Sequence, residues 1–370
     1  MNNNNYCVIM AGGVGARFWP MSRNSRPKQF IDILGTGKTL IQLTYERFEQ
    51  IIPSENIYIV TNKDYCQHIN EQLPQLHPSQ IISEPARRNT APCIAYAVYK
   101  IYKLNPQANI VVAPSDHIIL KEQEFLSIVK DALEAVEGKD ILMTLGITPS
   151  RPDTGYGYIQ YMDADPKDEQ NYHVFKNQNI KKVKIFTEKP EYDMALSFLQ
   201  SGDFLWNSGL FIWSCKAIIS ALEKYLPDIS VLFSSMNPVL NTDEEMLQID
   251  SVYTSCRSIS IDYGVMEKAP NVYVFVSDFG WSDLGTWGSL HEHREKDEHH
   301  NAVYGKNVMM YDTTDSIVHV PNDKLVVIQG LEDYIVVEND NILLICKKGD
   351  EQKIRQFVND VLIEKGEQFI

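Results

Sequence analysis

Tyr6-Cys7-Val8-Ile9-Met10-Ala11-Gly12-Gly13-Val14-Gly15-Ala16-Arg17 is an apolar run that passes directly into a glycine-rich turn. Small residues placed straight after a strand let backbone N–H groups come close to an anion, and a helix start adds its dipole. The turn by itself fits a plain strand-to-helix connection. The next residues change the balance: Arg17, Pro20 and then Pro27-Lys28. Two cations on a proline-stiffened loop beside a glycine turn have no obvious structural purpose. At about 4 Å and an effective dielectric near ~20, each contributes roughly 4 kcal/mol against a phosphate charge before desolvation. Two better-known phosphate loops are excluded. Phe18 occupies the third glycine position of a dinucleotide fingerprint. Gly37-Lys38-Thr39 ends like a Walker A loop, but the first glycine it requires would be at position 32, which is Asp32. Gly35-Thr36-Gly37 therefore reads as a turn before a helix starting near Thr39.

Outward from this stretch, apolar runs at residues 57–61, 110–113 and 141–145 alternate with helix-length segments. Within 92–104, Ile94, Val98 and Ile101 share one face, and Pro92 suits a first helical turn. The rhythm predicts an α/β fold with a mostly parallel sheet and helices on both faces. Ligands of such sheets bind beyond the carboxyl ends of the strands. Ala11-Gly12-Gly13 and Pro114-Ser115-Asp116-His117 stand at two such ends. From Asn301 the pattern changes to short apolar runs at 316–320, 325–328, 334–337 and 342–346, punctuated by Asp, Asn and Gly. These predict a small all-β unit of solenoid-like character. A terminal helix follows, with Ile354, Phe357, Val358, Val361 and Leu362 as its apolar stripe and Asp350 as its N-cap. The charged segment 292–298 suits the boundary, giving domains 1–297 and 298–370.

The chain has 370 residues, 44% of them hydrophobic, and a formal net charge of −15. That composition is globular and argues against a nucleic-acid partner. An acidic chain must hold phosphates with a local site, because its overall field repels them. No apolar run reaches membrane length and the start shows no signal pattern, so no membrane partner and a cytoplasmic location are expected. The six cysteines are scattered without a C-x-x-C pair and read as buried free thiols. His291, His293, His299 and His300 lack metal-ligand spacing and read as a solvated face.

Other motifs balance a chemical reading against a plain one. Asp116 follows an apolar run, and Asp283 lies in Trp281-Ser282-Asp283-Leu284-Gly285. Magnesium bound with substrate phosphates needs only one or two carboxylates, but either Asp alone is more often a turn residue. Glu188-Lys189-Pro190 ends a strand at 183–186 and suits a sugar hydroxyl and a phosphate, or an ordinary solvated pair. Asn207, in Trp206-Asn207-Ser208-Gly209, faces a pocket or is a satisfied buried amide; Asp262-Tyr263-Gly264 is similar and weaker.

In order and spacing these motifs resemble the bacterial mannose-1-phosphate guanylyltransferases, a branch of the sugar nucleotidyltransferases. The resemblance covers nearly the whole chain. Residues 11–30, ending Arg26-Pro27-Lys28-Gln29-Phe30, look like the family's triphosphate loop. Glu84-Pro85 with Arg88-Asn89-Thr90-Ala91-Pro92 is similar to its base-binding segment. Pro114-Ser115-Asp116-His117, Phe186-Thr187-Glu188-Lys189-Pro190, Trp206-Asn207-Ser208-Gly209, Ser260-Ile261-Asp262-Tyr263 and the Asp283 motif also match. One departure is Ala16, where the family commonly has threonine.

The resemblance implies a Rossmann-like α/β nucleotidyltransferase domain with a mixed, mostly parallel sheet, followed by a small C-terminal β-helix-like domain, and transfer of GMP from GTP to α-D-mannose 1-phosphate, with release of pyrophosphate. It implies Mg²⁺ on Asp116 and Asp283, Arg17 on the pyrophosphate and Lys28 on the α-phosphate. Ala11, Gly12, Gly13, Gly15, Ala16 and Ser115 would hold the nucleotide, and Pro85, Asn89 and Thr90 its base. Gly157, Glu188, Lys189, Asn207 and Asp262 would hold the sugar phosphate. A homodimer is expected, and the short chain after the β unit leaves no room for an isomerase domain. Two alternatives stay open: a different sugar 1-phosphate (heptose, fucose or glucose), or a non-catalytic subunit that only binds nucleotide sugar.

Overall fold

The computed structural model describes residues 1–162, 175 and 177–370. The chain packs as two units that interleave along the sequence. The first comprises Met1–Gly12, Thr44–Ser115 and Ile119–Trp281; the second comprises Gly13–Leu43, Asp116–Ile118 and Ser282–Ile370.

The first unit is built on a nine-stranded sheet, and the short β5 (Ile118–Ile119) lies outside it. The nine strands are β1 (Asn5–Met10), β2 (Ile57–Asn62), β3 (Ile81–Glu84), β4 (Asn109–Pro114), β6 (Leu142–Ile147), β7 (Tyr158–Met162), β8 (Ile180–Thr187), β9 (Phe204–Ser214) and β10 (Val272–Ser277). Their order is β3-β2-β1-β4-β9-β6-β10-β8-β7, and β9 also pairs with β7. The β3-β2-β1-β4 half is parallel, with Val8 opposite both Tyr58 and Val112. β9 enters antiparallel between β4 and β6, so the sheet is mixed.

Continuous apolar runs such as Cys7–Ile9 and Ile57–Val60 are buried on both faces, as a helix-covered sheet requires. Helices α1 (Leu40–Glu49), α2 (Cys66–Gln72), α3 (Thr90–Leu104), α4 (Glu122–Val136), α5 (Tyr192–Ser201), α6 (Cys215–Tyr225), α7 (Pro227–Ser235) and α8 (Glu245–Ser255) alternate with the strands. In α3 every residue from Ala91 to Ile101 is buried. That helix begins two residues before the predicted start, because Asn89 caps it by accepting from Thr90 N at 2.8 Å. Pro92 still sits in its first turn.

The second unit contains α9 (Trp287–His293), α10 (Ile354–Lys365) and the remaining strands. After β11 (Trp281–Ser282) come β12 (Ala302–Tyr304), β13 (Val308–Tyr311), β14 (Ile317–His319), β15 (Val326–Gln329), β16 (Tyr334–Asn339) and β17 (Ile342–Lys347). Ala302 lies opposite Ile317, Ile317 opposite Ile335 and Val308 opposite Val326, all in parallel. Successive coils therefore stack as a β-helix, closed by the antiparallel β16–β17 hairpin. Its core is continuous with the glycine-loop segment: Phe18, Trp19, Ile31 and Ile33 join Trp287, Ile317, Ile335 and Ile354 in one buried cluster.

Several expectations change. Asp350 does not cap α10; it lies in a preceding 3-10 turn, paired with Lys353 at 2.8 Å, and the helix starts at Ile354. His291 is not solvated: α9 turns it inward, where it is 7% exposed and contacts the His300 carbonyl at 2.8 Å. The turn at Gly35–Gly37 forms as expected, and Asp32 closes it by accepting from Thr36 N and Gly37 N. All six cysteines are free, and Cys7, Cys93, Cys215 and Cys256 are buried.

Candidate active site

In the second unit, Gly15 takes φ +73°, and a Cβ there would lie 2.6 Å from Lys28 Cβ. Both facts demand glycine: the left-handed backbone and the close passage of the second cationic segment. Lys28 N donates to Val14 O at 3.1 Å, and Gln29 Nε2 donates to Gly13 O at 2.9 Å. The turn is thus laced to the Pro27-Lys28 segment, which explains why the proline-stiffened loop follows it. Gly13 is different, since a Cβ there would meet nothing within 4 Å. Ala16 and Arg17 open a single 3-10 turn, Ala16–Phe18.

Lys28 is 2% exposed. Its ammonium contacts Asp116 Oδ2 at 2.7 Å and donates to the carbonyls of Asp283 at 3.1 Å and Leu284 at 2.8 Å. It also sits 5.5 Å from the centre of the Phe18 ring. One buried cation therefore meets the Asp116 carboxylate and the main chain at Asp283, two segments that stand far apart in sequence. Burial raises the Asp116 carboxyl, but Lys28 first, and His117 and hydrogen bonds after it, outweigh that and hold it below the usual carboxylate range. Asp283 Oδ1 accepts from Gly285 N at 2.8 Å. No cluster of three or more metal-ligating side chains occurs among the described residues. A two-carboxylate set still suits a hard cation that shares its coordination with phosphates and water.

In the first unit, Ala11 and Gly12 end β1. Ala11 N donates to Val60 O at 2.7 Å, and Thr61 Oγ1 donates to Ala11 O at 2.9 Å. Ser115 N donates to Met10 O at 3.0 Å. The glycine stretch is therefore divided: Ala11, Gly12 and Ser115 belong to the first unit, and Gly13, Gly15, Ala16 and Arg17 to the second.

Pro85 follows β3, and Asn89 holds φ +67° at the start of α3. Thr90 Oγ1 accepts from Ile261 N at 2.9 Å, and Ala91 N donates to Ile259 O at 3.1 Å. Asn89 and Thr90 thus spend side-chain bonds on shaping the segment. The acid beside them, Glu84, has no role assigned by the sequence alone. It is 6% exposed and accepts from Tyr253 OH at 2.9 Å. Burial pushes it up to about 7, against the lowering effect of hydrogen bonds from Tyr253 and Cys93. A Cβ on Gly12 would come within 3.4 Å of its Oε2. The available signal is an acid closing an apolar strand, Ile81-Ile82-Ser83-Glu84.

Gly157, Glu188, Lys189, Asn207 and Asp262 converge in the first unit. β7, β8 and β9 are hydrogen-bonded neighbours, which puts these residues side by side. Asn207 N donates to Gly157 O at 2.8 Å, and Lys189 N donates to Tyr156 O at 3.2 Å. A Cβ on Gly157 would lie 2.5 Å from Glu188 Oε2 and 3.3 Å from Asn207 Cβ. Asn207 Oδ1 accepts from Thr144 Oγ1 at 3.0 Å, which orients its amide to donate to Asp262 Oδ1 at 2.9 Å. Lys189 pairs with Glu188 and keeps φ +48°. Burial first, and the Glu188 charge second, push Asp262 up to about 6. Two carboxylates, an amide and one ammonium make a set suited to sugar hydroxyls and a phosphate.

The family described as Nucleotidyl transferase matches residues 6–300, and the MannoseP isomerase/GMP-like beta-helix domain matches residues 306–361. The mannose-1-phosphate guanylyltransferase of Salmonella montevideo is 35% identical over 371 residues, covering 98% of this chain and 75% of its own length. That of Escherichia coli (strain K12) is 34% identical over 362 residues, covering 96% and 73%. A solved Thermus thermophilus protein, described as a mannose-1-phosphate geranyltransferase, superposes with a TM-score of 0.83. It is 28% identical and covers 97% of this chain and 99% of its own. By the span of the first match and by these near full-length relatives, the chain belongs to the nucleotidyl transferase family, in the branch of the mannose-1-phosphate guanylyltransferases.

Proposed function

We propose that the chain transfers GMP from GTP to α-D-mannose 1-phosphate, giving GDP-mannose and pyrophosphate. The observation that carries this reading is Lys28, whose buried ammonium meets Asp116 at 2.7 Å and the Asp283 carbonyl at 3.1 Å. A plain turn has no use for a buried cation held on one distant carboxylate and on the main chain of a second acid. The names of the relatives supply the substrates.

The attacking phosphate oxygen is already ionised, so no strong general base is needed, and catalysis rests on positioning and charge neutralisation. Arg17 takes the departing pyrophosphate, and Lys28 meets charge that builds at the α-phosphorus. Ala11, Gly12, Gly13, Gly15, Ala16 and Ser115 hold the nucleotide through backbone groups, and Pro85, Asn89 and Thr90 shape the base segment. Lys189 holds the sugar phosphate, while Glu188, Asn207 and Asp262 bond sugar hydroxyls beside the side-chain-free Gly157. The hard oxygens of Asp116 and Asp283 fit Mg²⁺, which when bound supplies neutralisation of phosphate charge.

The homodimer belongs to the same proposal. Met309, Tyr311, Val327, Leu343 and Ile345 are exposed apolar residues of the β-helix. Residues 1–297 and 298–370 are the proposed sequence modules, with a cytoplasmic site of action.

The test is a coupled assay. Each nucleoside triphosphate is incubated with a panel of sugar 1-phosphates, Mg²⁺ and pyrophosphatase, and phosphate release is followed. The GTP and mannose 1-phosphate pair should turn over fastest. A faster heptose, fucose or glucose derivative would replace the sugar, and silence from every pair would replace catalysis with binding alone.

A further inference from the structure

The C-terminal helix is packed on the phosphate loop. α10 lies against the Ala16–Phe18 turn. Trp19 Nε1 donates to Phe369 O at 2.7 Å, and Phe357, Val358, Val361 and Phe369 cover the buried cluster that contains Phe18 and Trp19. Arg17 Nη1 reaches Gln352 Oε1 at 3.5 Å. Gln352 lies in the 3-10 turn Lys348–Lys353, and Arg355 follows three residues later in the first turn of α10.

Arg355 is close enough to Arg17 to feel its charge: burial lowers the Arg355 guanidinium's pKa, and Arg17 lowers it further. A guanidinium stays protonated under such a shift, so both positive charges persist. Among the described residues neither has a carboxylate within ion-pair distance. Their neighbour Lys353 does, pairing with Asp350 at 2.8 Å. In a chain of net charge −15, two adjacent guanidiniums without an acid between them are an arrangement that lacks its anion. The planar fork of Arg matches phosphate oxygens in pairs.

We propose that Arg355 is a second guanidinium ligand, beside Arg17, for the polyphosphate of the nucleoside triphosphate and for the pyrophosphate that leaves it. This rests on the nucleotidyl-transfer reading and adds that the C-terminal helix supplies a binding residue. Gln352 is a positioning residue that holds Arg17 in the pair.

Calorimetric titration with pyrophosphate and with GTP, each with Mg²⁺, compares wild type with Arg17→Gln, Arg355→Gln and the double variant. Arg355→Gln should weaken both ligands by about 5- to 20-fold, as loss of a charge-assisted hydrogen bond does. Its KM for mannose 1-phosphate should stay within about twofold, since that ligand lacks the lost contact. The double variant should lose less than the product of the single losses. Pyrophosphate binding of Arg355→Gln equal to wild type overturns the proposal. A measurement on unaltered protein guards against a folding defect: pyrophosphate should slow phenylglyoxal modification of both Arg17 and Arg355. Protection of Arg17 without Arg355, or of neither, overturns it as well. If wild type makes no nucleotide sugar while both arginines are protected, the reading of the reaction fails and this assignment stands.

Discussion

The cluster around Asn207 and the loop around Arg17 crowd charge of opposite sign, and they respond differently. Around Asn207 the crowded groups are carboxylates, Glu188 and Asp262, and Asp262 yields by rising to about 6. Around Arg17 they are guanidiniums, which do not give up a proton near neutral pH. One set therefore changes its charge with pH and the other does not. Between these extremes is Lys28, whose charge is consumed internally by Asp116 and two carbonyls. Cationic residues of one loop thus do different work. Lys28 ties its loop to Asp116 and to the Asp283–Leu284 main chain, and Arg17 bonds Gln352.

The contrast breaks hardest at the acids. Asp283→Asn should lower turnover by about 10³-fold or more, since it removes electrostatic stabilisation of the reacting phosphates. The thermal midpoint should barely move. Near-normal turnover in Mg²⁺ would remove the metal assignment from Asp283. Lys28→Met should cost both function and fold. Turnover should drop about 10²- to 10³-fold, and stability by roughly 3 kcal/mol, because Asp116 and two carbonyls lose their partner. Urea unfolding would show it, and an unchanged midpoint would mean that the Lys28 contacts carry no stability.

A smaller effect separates the two sets by pH. Asp262 is raised from 3.8 to about 6 in the folded chain, so the folded state binds the proton more tightly than the unfolded one. Its contribution to stability is complete below about pH 4 and is lost as pH rises through about 6, on the order of 2–3 kcal/mol. Glu84, raised from 4.5 to about 7, acts with the same sign up to about pH 7. Asp262→Asn should flatten the stability curve between about pH 4 and 6 and leave the Glu84 component above it. An unchanged curve would mean that Asp262 titrates normally.

Gly157→Ala forces a Cβ to 2.5 Å from Glu188 Oε2. It should raise KM for the sugar phosphate about tenfold, and keep the KM for GTP within about twofold. Equal rises in both would dissolve the distinction between the two residue sets. Ala16→Thr is the mildest change. A restored hydroxyl should tighten GTP by about three- to fivefold, the value of one ordinary hydrogen bond, and calorimetry would read it.

Local chemistry is legible in the chain itself. The strands end where apolar runs stop, as at Met10, Pro114 and Ile147. The glycine turn, the stacked short β runs and the order of the motifs need only neighbouring residues to be read. Asp350 and His291 depart from their sequence readings because both depend on distant packing: a 3-10 turn precedes α10, and α9 turns His291 inward. Glu84 has no role in the sequence because a buried acid and an exposed one look alike there.

By itself, then, the sequence determined the α/β class, the separate run of short β segments, the glycine turn and the family's motif order. These follow from residue type and short-range periodicity, which each segment carries alone. Only the tertiary structure decided what the charges do. It put Lys28 against the Asp116 carboxylate and the Asp283 main chain, joined Asn207 to Asp262 across 55 positions, and packed the C-terminal helix on the Ala16–Phe18 turn. A charge is defined by its neighbours and its access to water, and both are set by how segments remote in sequence pack.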